Sequence, residues 1–323
     1  MSKLTKEQKL EKREEKKRLN EKFSYLVKTS DINMTEKTKY SIEDCGSFLE
    51  FISDKDLENY RLSNANFCNN RFCPHCSFNA SRKNALKFEI LLKYIKEKYN
   101  YSFLFLTLTS PNVKAKDLNF ELDSYYKAFN NLIKRKRFKN ISKGFIRKFE
   151  ITYNKDRDDY HPHYHVIISV NSSYFNESSC YISHSEWLQM WRECKKDLSI
   201  TQVDIRRLND DNLLNSVFEM SKYLSKDSDY LYNREVFENF YRNLKGRRYL
   251  GFSGVFSDAN KLYKLGKLDY LKEVDTIEYI YKVFYIWKNS KYNLKNVLAL
   301  SEEEKNKFNF DLKNEIEDLD LEF

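Results

Sequence analysis

Three of the five histidines of this 323-residue chain fall within five positions, at the start of the segment HPHYHVIISV (161–170). The second half of this segment has the β-branched composition of a buried strand. Alternate side chains of a strand project to the same face, so His163 and His165 point together, and His161 joins them only if the strand begins that early. Two imidazoles in this relation chelate one divalent ion and leave positions open for substrate oxygens. The segment therefore predicts a strand that carries a metal site on one face.

A second strand is predicted directly before the first. Residues 145–153 (FIRKFEITY) alternate in polarity, and the polar residues 154–160 turn the chain, which is typical of an antiparallel hairpin. Glu150 is the acidic residue of this apolar-rich strand and is a candidate third ligand of the ion. The alternative is that Glu150 faces solvent, in which case His161 becomes the candidate.

The cysteines predict a second metal site. Four of the six lie in the first quarter of the chain, as Cys45 and the run Cys68, Cys73 and Cys76. Six cysteines in a chain of this length are too few for a disulfide scaffold. A Cys-x2-Cys turn directs two sulfurs at one point, and two further sulfurs complete a tetrahedral zinc shell. The choice of fourth ligand stays open between Cys45 and His75, and buried structural cysteines without a metal are the alternative.

Charge indicates the class of partner. The chain carries 57 Lys and Arg against 48 Asp and Glu, a net charge of +9, and its basic residues are dense in an acid-free run that includes Lys134, Arg135, Lys136 and Arg137. Such a run favours a polyanionic partner such as nucleic acid, with a solvated helix face as the alternative. The apolar stretches are of strand length and the N-terminus is charged throughout, so we expect no membrane span, no secretory signal and a cytoplasmic location.

A third pattern lies in the segment EMSKYLSK (219–226), within a helix predicted over residues 210–226. At about 100° per residue, Glu219, Tyr223 and Lys226 share one stripe of that helix, apart from its apolar stripe. The chain has 24 tyrosines, so a given tyrosine is more often part of the core or the surface than catalytic. By itself this pattern does not establish a catalytic site.

Together, the motifs resemble a known family. Their order and approximate spacing are similar to those of the rolling-circle replication initiators, the plasmid Rep proteins of Gram-positive bacteria in the single-tyrosine branch of the HUH endonucleases. The segments that carry the resemblance are FLTLTSP (105–111), HPHYHVIISV (161–170) and EMSKYLSK (219–226), together with Cys45-Gly46, CNNRFCPHC (68–76) and KGRRYLGFSGVF (245–256). The resemblance covers about residues 42–256.

The resemblance implies roles for individual residues. His163 and His165 would hold Mg²⁺ or Mn²⁺, and Tyr223 would be the nicking nucleophile. Lys226 would contact the phosphate or the tyrosine, and Glu219 matches the glutamate that this branch uses to activate water for the closing cut. The two-tyrosine branch has a second tyrosine one helical turn from the first, whereas this chain has Glu at 219 and Asp at 227.

The expected fold class is α+β. It consists of a central antiparallel sheet flanked by helices, as in HUH endonucleases, with a small N-terminal zinc-binding element and a helical C-terminal region. The expected division is a charged N-terminal arm (1–40), the zinc-binding element (41–80), an HUH nicking domain (81–230), the helical C-terminal region (231–300) and an acidic tail (301–323).

The implied partners are plasmid origin DNA, both duplex and single-stranded, and a host helicase with other replication proteins; a homodimer is left open and no membrane is expected. An HUH transposase remains an alternative, as does a non-catalytic zinc-containing DNA-binding regulator, although the latter leaves His163, His165 and Tyr223 without a role. A mobilisation relaxase is disfavoured because its tyrosine typically precedes the histidine motif. A zinc hydrolase acting on small molecules is disfavoured by the basic run.

Overall fold

The computed structural model describes residues 4–177, 180–209, 212–222, 227–309 and 311–313. Contacts divide the chain into two compact units. The first comprises residues 1–86, 231–241 and 272–323, and the second comprises residues 87–230 and 242–271. No helix among the described residues is both long enough and apolar enough to cross a lipid bilayer.

The described helices and strands follow one another along both units. The helices are α1 (Lys6–Thr29), α2 (Glu36–Asp44), α3 (Pro74–Tyr99), α4 (Ala115–Leu132), α5 (Lys136–Ile141), α6 (His184–Lys195), α7 (Leu213–Ser221), α8 (Asp227–Tyr230), α9 (Arg234–Leu244), α10 (Val255–Lys264) and α11 (Glu302–Phe308). The strands are β1 (Phe48–Ser53), β2 (Tyr60–Ala65), β3 (Tyr101–Thr109), β4 (Ser142–Asn154), β5 (Asp159–Asn171), β6 (Val203–Leu208), β7 (Leu250–Gly254), β8 (Tyr281–Lys288) and β9 (Lys291–Ala299). The α+β class is therefore confirmed.

The first unit contains a four-stranded antiparallel sheet in the order β2-β1-β8-β9. Its core is a cluster of buried aromatic and aliphatic side chains: Leu49, Phe51, Tyr60, Val283, Tyr285 and Tyr292. The charged N-terminal segment forms α1, which begins at a capping box between Thr5 and Gln8. Phe23 and Val27 on α1 are buried, so this segment is part of the folded unit.

The prediction that residues 231–300 are helical is wrong for residues 281–299, which form the hairpin of β8 and β9. Asn289 and Ser290 connect the two strands with φ angles of 55° and 58°. Two consecutive residues at positive φ form the tight turn that matches the twist of a hairpin, and Asn accepts this conformation readily. Aromatic and β-branched residues such as Val283 and Tyr285 then alternate toward the core.

The second unit contains a five-stranded antiparallel sheet in the order β6-β3-β5-β4-β7. The predicted hairpin of β4 and β5 is confirmed, and β5 is the central strand of the sheet. One face packs on α4 and α6 through aromatic contacts that join Tyr164 to Tyr125 and Tyr125 to Trp191. Because Tyr164 points to this packed face, its neighbours His163 and His165 point to the opposite face.

The helix predicted over residues 210–226 includes residues 210, 211 and 223–226, which lie outside the described part of the chain, and its described part is not helical through to Lys222. It runs as α7 from Leu213 to Ser221, and Lys222 has an extended ψ of 148°. The Ser221 hydroxyl donates to the Phe218 carbonyl at 2.9 Å, a local bond that competes with helix continuation. The expected continuous stripe from Glu219 to residues 223 and 226 is therefore interrupted at Lys222.

Candidate metal centres and active site

Glu150, His163 and His165 come together on the face of the five-stranded sheet opposite to α4 and α6. Glu150 on β4 pairs directly with His163 on β5, and His165 lies two residues further along the same face. Glu150 Oε2 lies 3.9 Å from His163 Nε2 and 3.4 Å from His165 Nε2. All three residues are buried, and one ligand atom from each lies within 4.8 Å of the others. Ligand atoms that share one ion through bonds of about 2.0–2.1 Å lie only slightly closer together, so the group fits a divalent ion.

The other ring nitrogen of each histidine is held in place. His163 Nδ1 donates to the His161 carbonyl at 3.2 Å. His165 Nδ1 lies 3.1 Å from Glu219 Oε1 and 3.3 Å from the Thr107 hydroxyl. A carbonyl or a carboxylate only accepts, so Nδ1 can donate in both rings; with the proton there, the Nε2 lone pair would be directed at an ion held between the imidazoles and Glu150.

Electrostatics keep the group in its ligating form. Burial lowers the pKa of His163 to about 3, so its imidazole is neutral near pH 7. Burial opposes ionisation of Glu150, but the Lys148 ammonium and the two imidazoles hold the pKa of this carboxyl well below its usual range. The neutral imidazole of His163 and the carboxylate of Glu150, together with His165, form a donor set that is suited to a divalent cation such as Mn²⁺. His161 lies outside the group, with its ring centroid 5.3 Å from that of His163.

Lys148 is part of this site, which the sequence analysis missed because the residue belongs to a basic run. Its side chain is fully buried, and Nζ donates to Glu150 Oε2 at 2.6 Å and to the Glu219 carbonyl at 2.9 Å. The two-residue period of a strand could have predicted this role, because residues 148 and 150 lie on the same face of β4. Lys148 therefore links a candidate metal ligand to the last turn of α7.

Arg206 on the edge strand β6 is a second residue that the sequence analysis missed. Its Nη2 donates to Glu219 Oε2 at 2.7 Å, and its guanidinium lies 4.5 Å from the centre of the Phe105 ring. Arg206 pairs with Phe105 of β3. Phe105 lies two residues from Thr107, which pairs with His165 of β5. The sequence offered no signal for this position, because it depends on which strand lies beside β3.

The predicted nucleophile Tyr223 and its companion Lys226 lie outside the described residues. The chain is described up to Lys222, immediately after α7. Glu219, the third residue of that motif, lies beside His165 and is one-third exposed. Of the three predicted residues in this segment, Glu219 is therefore the one that the structure places at the same site as His163 and His165.

The four predicted cysteines also come together, in the first unit. Three of their Sγ–Sγ distances are 3.5 Å for Cys45–Cys76, 3.6 Å for Cys45–Cys73 and 3.7 Å for Cys68–Cys76. A tetrahedral zinc with Zn–S bonds of about 2.3 Å requires nearly this spacing. His75 lies outside the four-sulfur group. Of the two candidates for the fourth ligand, Cys45 is thus the one that the geometry groups with the others.

Groups around the sulfurs fit thiolates bound to a cation. The Cys68 amide donates to Cys45 Sγ at 3.4 Å, and Asn20 Nδ2 on α1 donates to Cys73 Sγ at 3.3 Å. Lys17 on α1 is buried, and its Nζ donates to the Cys45 carbonyl at 2.7 Å, with no carboxylate within 4.0 Å among the described residues. A buried ammonium is costly unless negative charge lies nearby, and four thiolates around Zn²⁺ carry a net charge of −2. This chemistry fits a zinc site.

Gly46, next to Cys45, has a conformational reason to be glycine. Its φ is +70°, and a Cβ atom there would lie 2.2 Å from His75 Nδ1. A side chain at this position would displace the ring that packs beside the cysteines. Backbone conformation and packing therefore both require glycine at position 46.

The basic run lies in the second unit at the start of α5. Arg135 and Arg137 form ion pairs with Glu193 and Glu186 of α6. Lys134 and Lys136 are exposed and make no side-chain hydrogen bond or ion pair within the part of the chain that the structure describes. Charge is thus partly neutralised at the arginines and fully available at the two lysines.

Comparisons with known proteins agree on a family. A family profile described as "Replication protein" matches residues 59–296, which include Glu150, His163, His165 and Glu219 but not Cys45. "Protein rep" from Staphylococcus aureus is 45% identical over 225 residues, covering 70% of this chain and 96% of that protein. "Protein rep" from Streptococcus pneumoniae is 35% identical over 263 residues, covering 78% of this chain and 82% of that protein. No solved structure matches the chain.

Proposed function

Because the chain belongs to this family of replication proteins, we propose that it initiates rolling-circle replication of a plasmid by nicking one strand of the origin through a tyrosine. The observation that carries the proposal is the buried group of Glu150, His163 and His165, whose ligand atoms lie within 4.8 Å of one another. Such a group of two imidazoles and a carboxylate suits phosphate chemistry. It also lies beside Glu219, four residues before Tyr223 in the sequence.

In the proposed reaction, Glu150, His163 and His165 hold Mg²⁺ or Mn²⁺, which supplies Lewis acidity to the scissile phosphate. The phenol oxygen of Tyr223 attacks the phosphorus, and the bond from phosphorus to the 3′ oxygen breaks. The phenol loses its proton, the leaving 3′ oxygen gains one, and Lys226 stabilises the phenolate or contacts the phosphate. The products are a covalent 5′-phosphotyrosine, which keeps the energy of the broken bond for rejoining, and a free 3′-OH that serves as primer.

The closing cut requires a second nucleophile, because the single tyrosine has already been used. We propose that Glu219 takes a proton from water, whose oxygen attacks the phosphorus at the regenerated origin junction while the bond from phosphorus to the 3′ oxygen breaks. The 3′-OH released there then attacks the phosphotyrosine, which rejoins the displaced strand and returns the phenol of Tyr223. The carboxylate is one-third exposed, which leaves it accessible to water beside the site.

The rest of the chain supplies binding functions in this proposal. Cys45, Cys68, Cys73 and Cys76 hold a structural Zn²⁺, and the run Lys134, Arg135, Lys136 and Arg137 contacts the DNA backbone. The partners are duplex and single-stranded origin DNA, a host helicase and other replication proteins, in the cytoplasm.

The decisive experiment incubates the full chain and Mn²⁺ with a labelled single-stranded origin oligonucleotide, followed by a denaturing gel. We expect a covalent protein–DNA adduct that EDTA abolishes and that Tyr223→Phe removes while DNA binding stays within a few fold. Tyr232→Phe, which changes an exposed neighbouring tyrosine, is the matched control and should keep the adduct. An adduct that persists in Tyr223→Phe would contradict the assignment of the nucleophile.

The same gel separates the alternatives. A non-catalytic zinc-containing regulator would bind the oligonucleotide but form no adduct at all. An HUH transposase would form the adduct with insertion-sequence ends and not with a plasmid origin.

A further inference from the structure

Both oxygens of the Glu219 carboxylate are engaged within the site. Oε1 lies 3.1 Å from His165 Nδ1, and Oε2 accepts a hydrogen bond from Arg206 at 2.7 Å. A carboxylate whose sole task is to activate water does not need either contact. We infer that Glu219 is also a positioning residue, which orients His165 as a metal ligand before any DNA is bound. This inference rests on the proposed metal assignment of Glu150, His163 and His165.

The geometry of the imidazole explains the effect. A nitrogen that ligates a metal carries no proton, so the proton of His165 must stay on Nδ1 for Nε2, which lies 3.4 Å from Glu150 Oε2, to act as a ligand. A carboxylate at Nδ1 favours this tautomer and this rotation of the ring. The Thr107 hydroxyl is a neutral second contact at the longer distance of 3.3 Å. Glu219 is therefore the charged one of the two contacts.

Arg206 extends this series of contacts from Glu219 to strand β6. Its guanidinium is fixed above the Phe105 ring at 4.5 Å, and it holds the second oxygen of Glu219. Strand β6 thus supports α7, and α7 supports a ligand on β5. The arrangement has the form of a carboxylate–histidine–metal triad, in which the outer carboxylate is typically worth about 10- to 100-fold in metal affinity.

A simpler explanation is that Glu219 and Arg206 form a partly exposed ion pair that contributes little to stability. A surface ion pair of that kind would leave metal binding unchanged. The two explanations therefore differ in a property that can be measured without DNA and without catalysis.

The experiment measures Mn²⁺ affinity of the full chain by calorimetry, in the absence of DNA. Glu219→Ala should weaken Mn²⁺ binding by about 10-fold or more. Glu219→Gln keeps a neutral acceptor and should fall between Glu219→Ala and the wild type. Glu97→Ala, which removes an exposed glutamate of the same unit, is the matched control and should bind Mn²⁺ as the wild type does.

A spectroscopic measurement tests the same inference without relying on the affinity for Mn²⁺. Nitrogen chemical shifts of His165 in EDTA should report the Nδ1–H tautomer in the wild type and a mixture of tautomers in Glu219→Ala. An affinity for Mn²⁺ within twofold of the wild type in Glu219→Ala, or an unchanged tautomer, would overturn the inference.

The outcome can be told apart from failure of the proposed function. If the wild type forms the Tyr223 adduct and Glu219→Ala binds Mn²⁺ normally, the function stands and the positioning role is refuted. If Glu219→Ala weakens Mn²⁺ binding but no protein forms an adduct, the positioning role stands and the nicking assignment fails. A wild type that binds no Mn²⁺ refutes both.

Discussion

A buried positive charge lies beside the candidate ligands even before an ion binds. Lys148 is fully buried, and burial lowers its pKa, although the neighbouring Glu150 opposes that shift. The pair leaves Glu150 charged and fixed in place, which is the state in which a carboxylate ligates a metal. At the residue scale, the site is thus prepared by compensating charges and not by the ligands alone.

Replacing Lys148 tests this charge balance. In EDTA, Lys148→Met should lower the free energy of unfolding by about 3–5 kcal/mol, because it leaves the Glu150 carboxylate buried without its partner. Saturating Mn²⁺ should restore part of that loss in the variant, since the ion then supplies the positive charge. Urea unfolding with and without Mn²⁺ measures both effects.

Lys143→Met, which changes a half-buried lysine of the same strand, is the control and should shift stability far less. A Lys148→Met protein as stable as this control in EDTA would mean that the buried pair does not hold the site.

At the scale of elements, helix α1 packs beside the cluster of Cys45, Cys68, Cys73 and Cys76. Lys17 and Asn20 on α1 reach the backbone or sulfur atoms of Cys45 and Cys73. Metal binding at such a cluster is also folding free energy for the surrounding segment. Helix α1 and the segment that carries Cys68, Cys73 and Cys76 should therefore both contribute to the retention of zinc.

Freshly purified reduced protein should accordingly contain close to one zinc per chain, and Cys73→Ala should lose it. Lys17→Met should release zinc to a chelator about tenfold more readily, because the charge that balances the thiolates is missing. Lys22→Met, an exposed position on the same helix, should behave as the wild type does. Metal analysis that finds no zinc in the wild type would contradict the site itself.

The elements also indicate what the sequence could and could not predict. The β4–β5 hairpin and α6 follow from strong local periodicity, and the predicted ligands Glu150, His163 and His165 follow from the strand period. The β8–β9 hairpin was missed because its Asn289–Ser290 turn lacks the glycine that usually marks such turns. Lys148 and Arg206 were missed as site residues because burial and strand order are tertiary properties.

At the scale of the whole molecule, a net charge of +9 favours DNA, but the ion pairs decide which residues are available to phosphates. Arg135 and Arg137 already interact with glutamates of α6, whereas Lys134 and Lys136 are exposed without such partners in the described chain. Phosphate groups of the DNA should therefore be bound chiefly by the two lysines.

The salt dependence of origin binding measures this directly. Replacing Lys134 and Lys136 together by Ala should flatten the log–log slope by up to about 0.9 for each phosphate of duplex DNA that the protein no longer neutralises. Replacing Arg135 and Arg137 together should flatten the slope less, because their charges are partly neutralised by Glu193 and Glu186. An unchanged slope in both double variants would mean that the run is a solvated face and that DNA binds elsewhere.

Completion of a replication round is the property that joins the two roles assigned to Glu219. Weakened metal binding can be overcome by adding Mn²⁺, whereas a missing general base cannot. At saturating Mn²⁺, Glu219→Ala should therefore nick supercoiled plasmid at nearly the wild-type rate but fail to release unit-length single strands, so that longer products accumulate. At limiting Mn²⁺, the first nick should slow as well. Gel analysis of replication products at both metal concentrations separates the positioning effect from the chemical one. If unit-length strands appear normally at saturating Mn²⁺, Glu219 acts through His165 alone and another nucleophile, such as a tyrosine of a second copy, must make the closing cut.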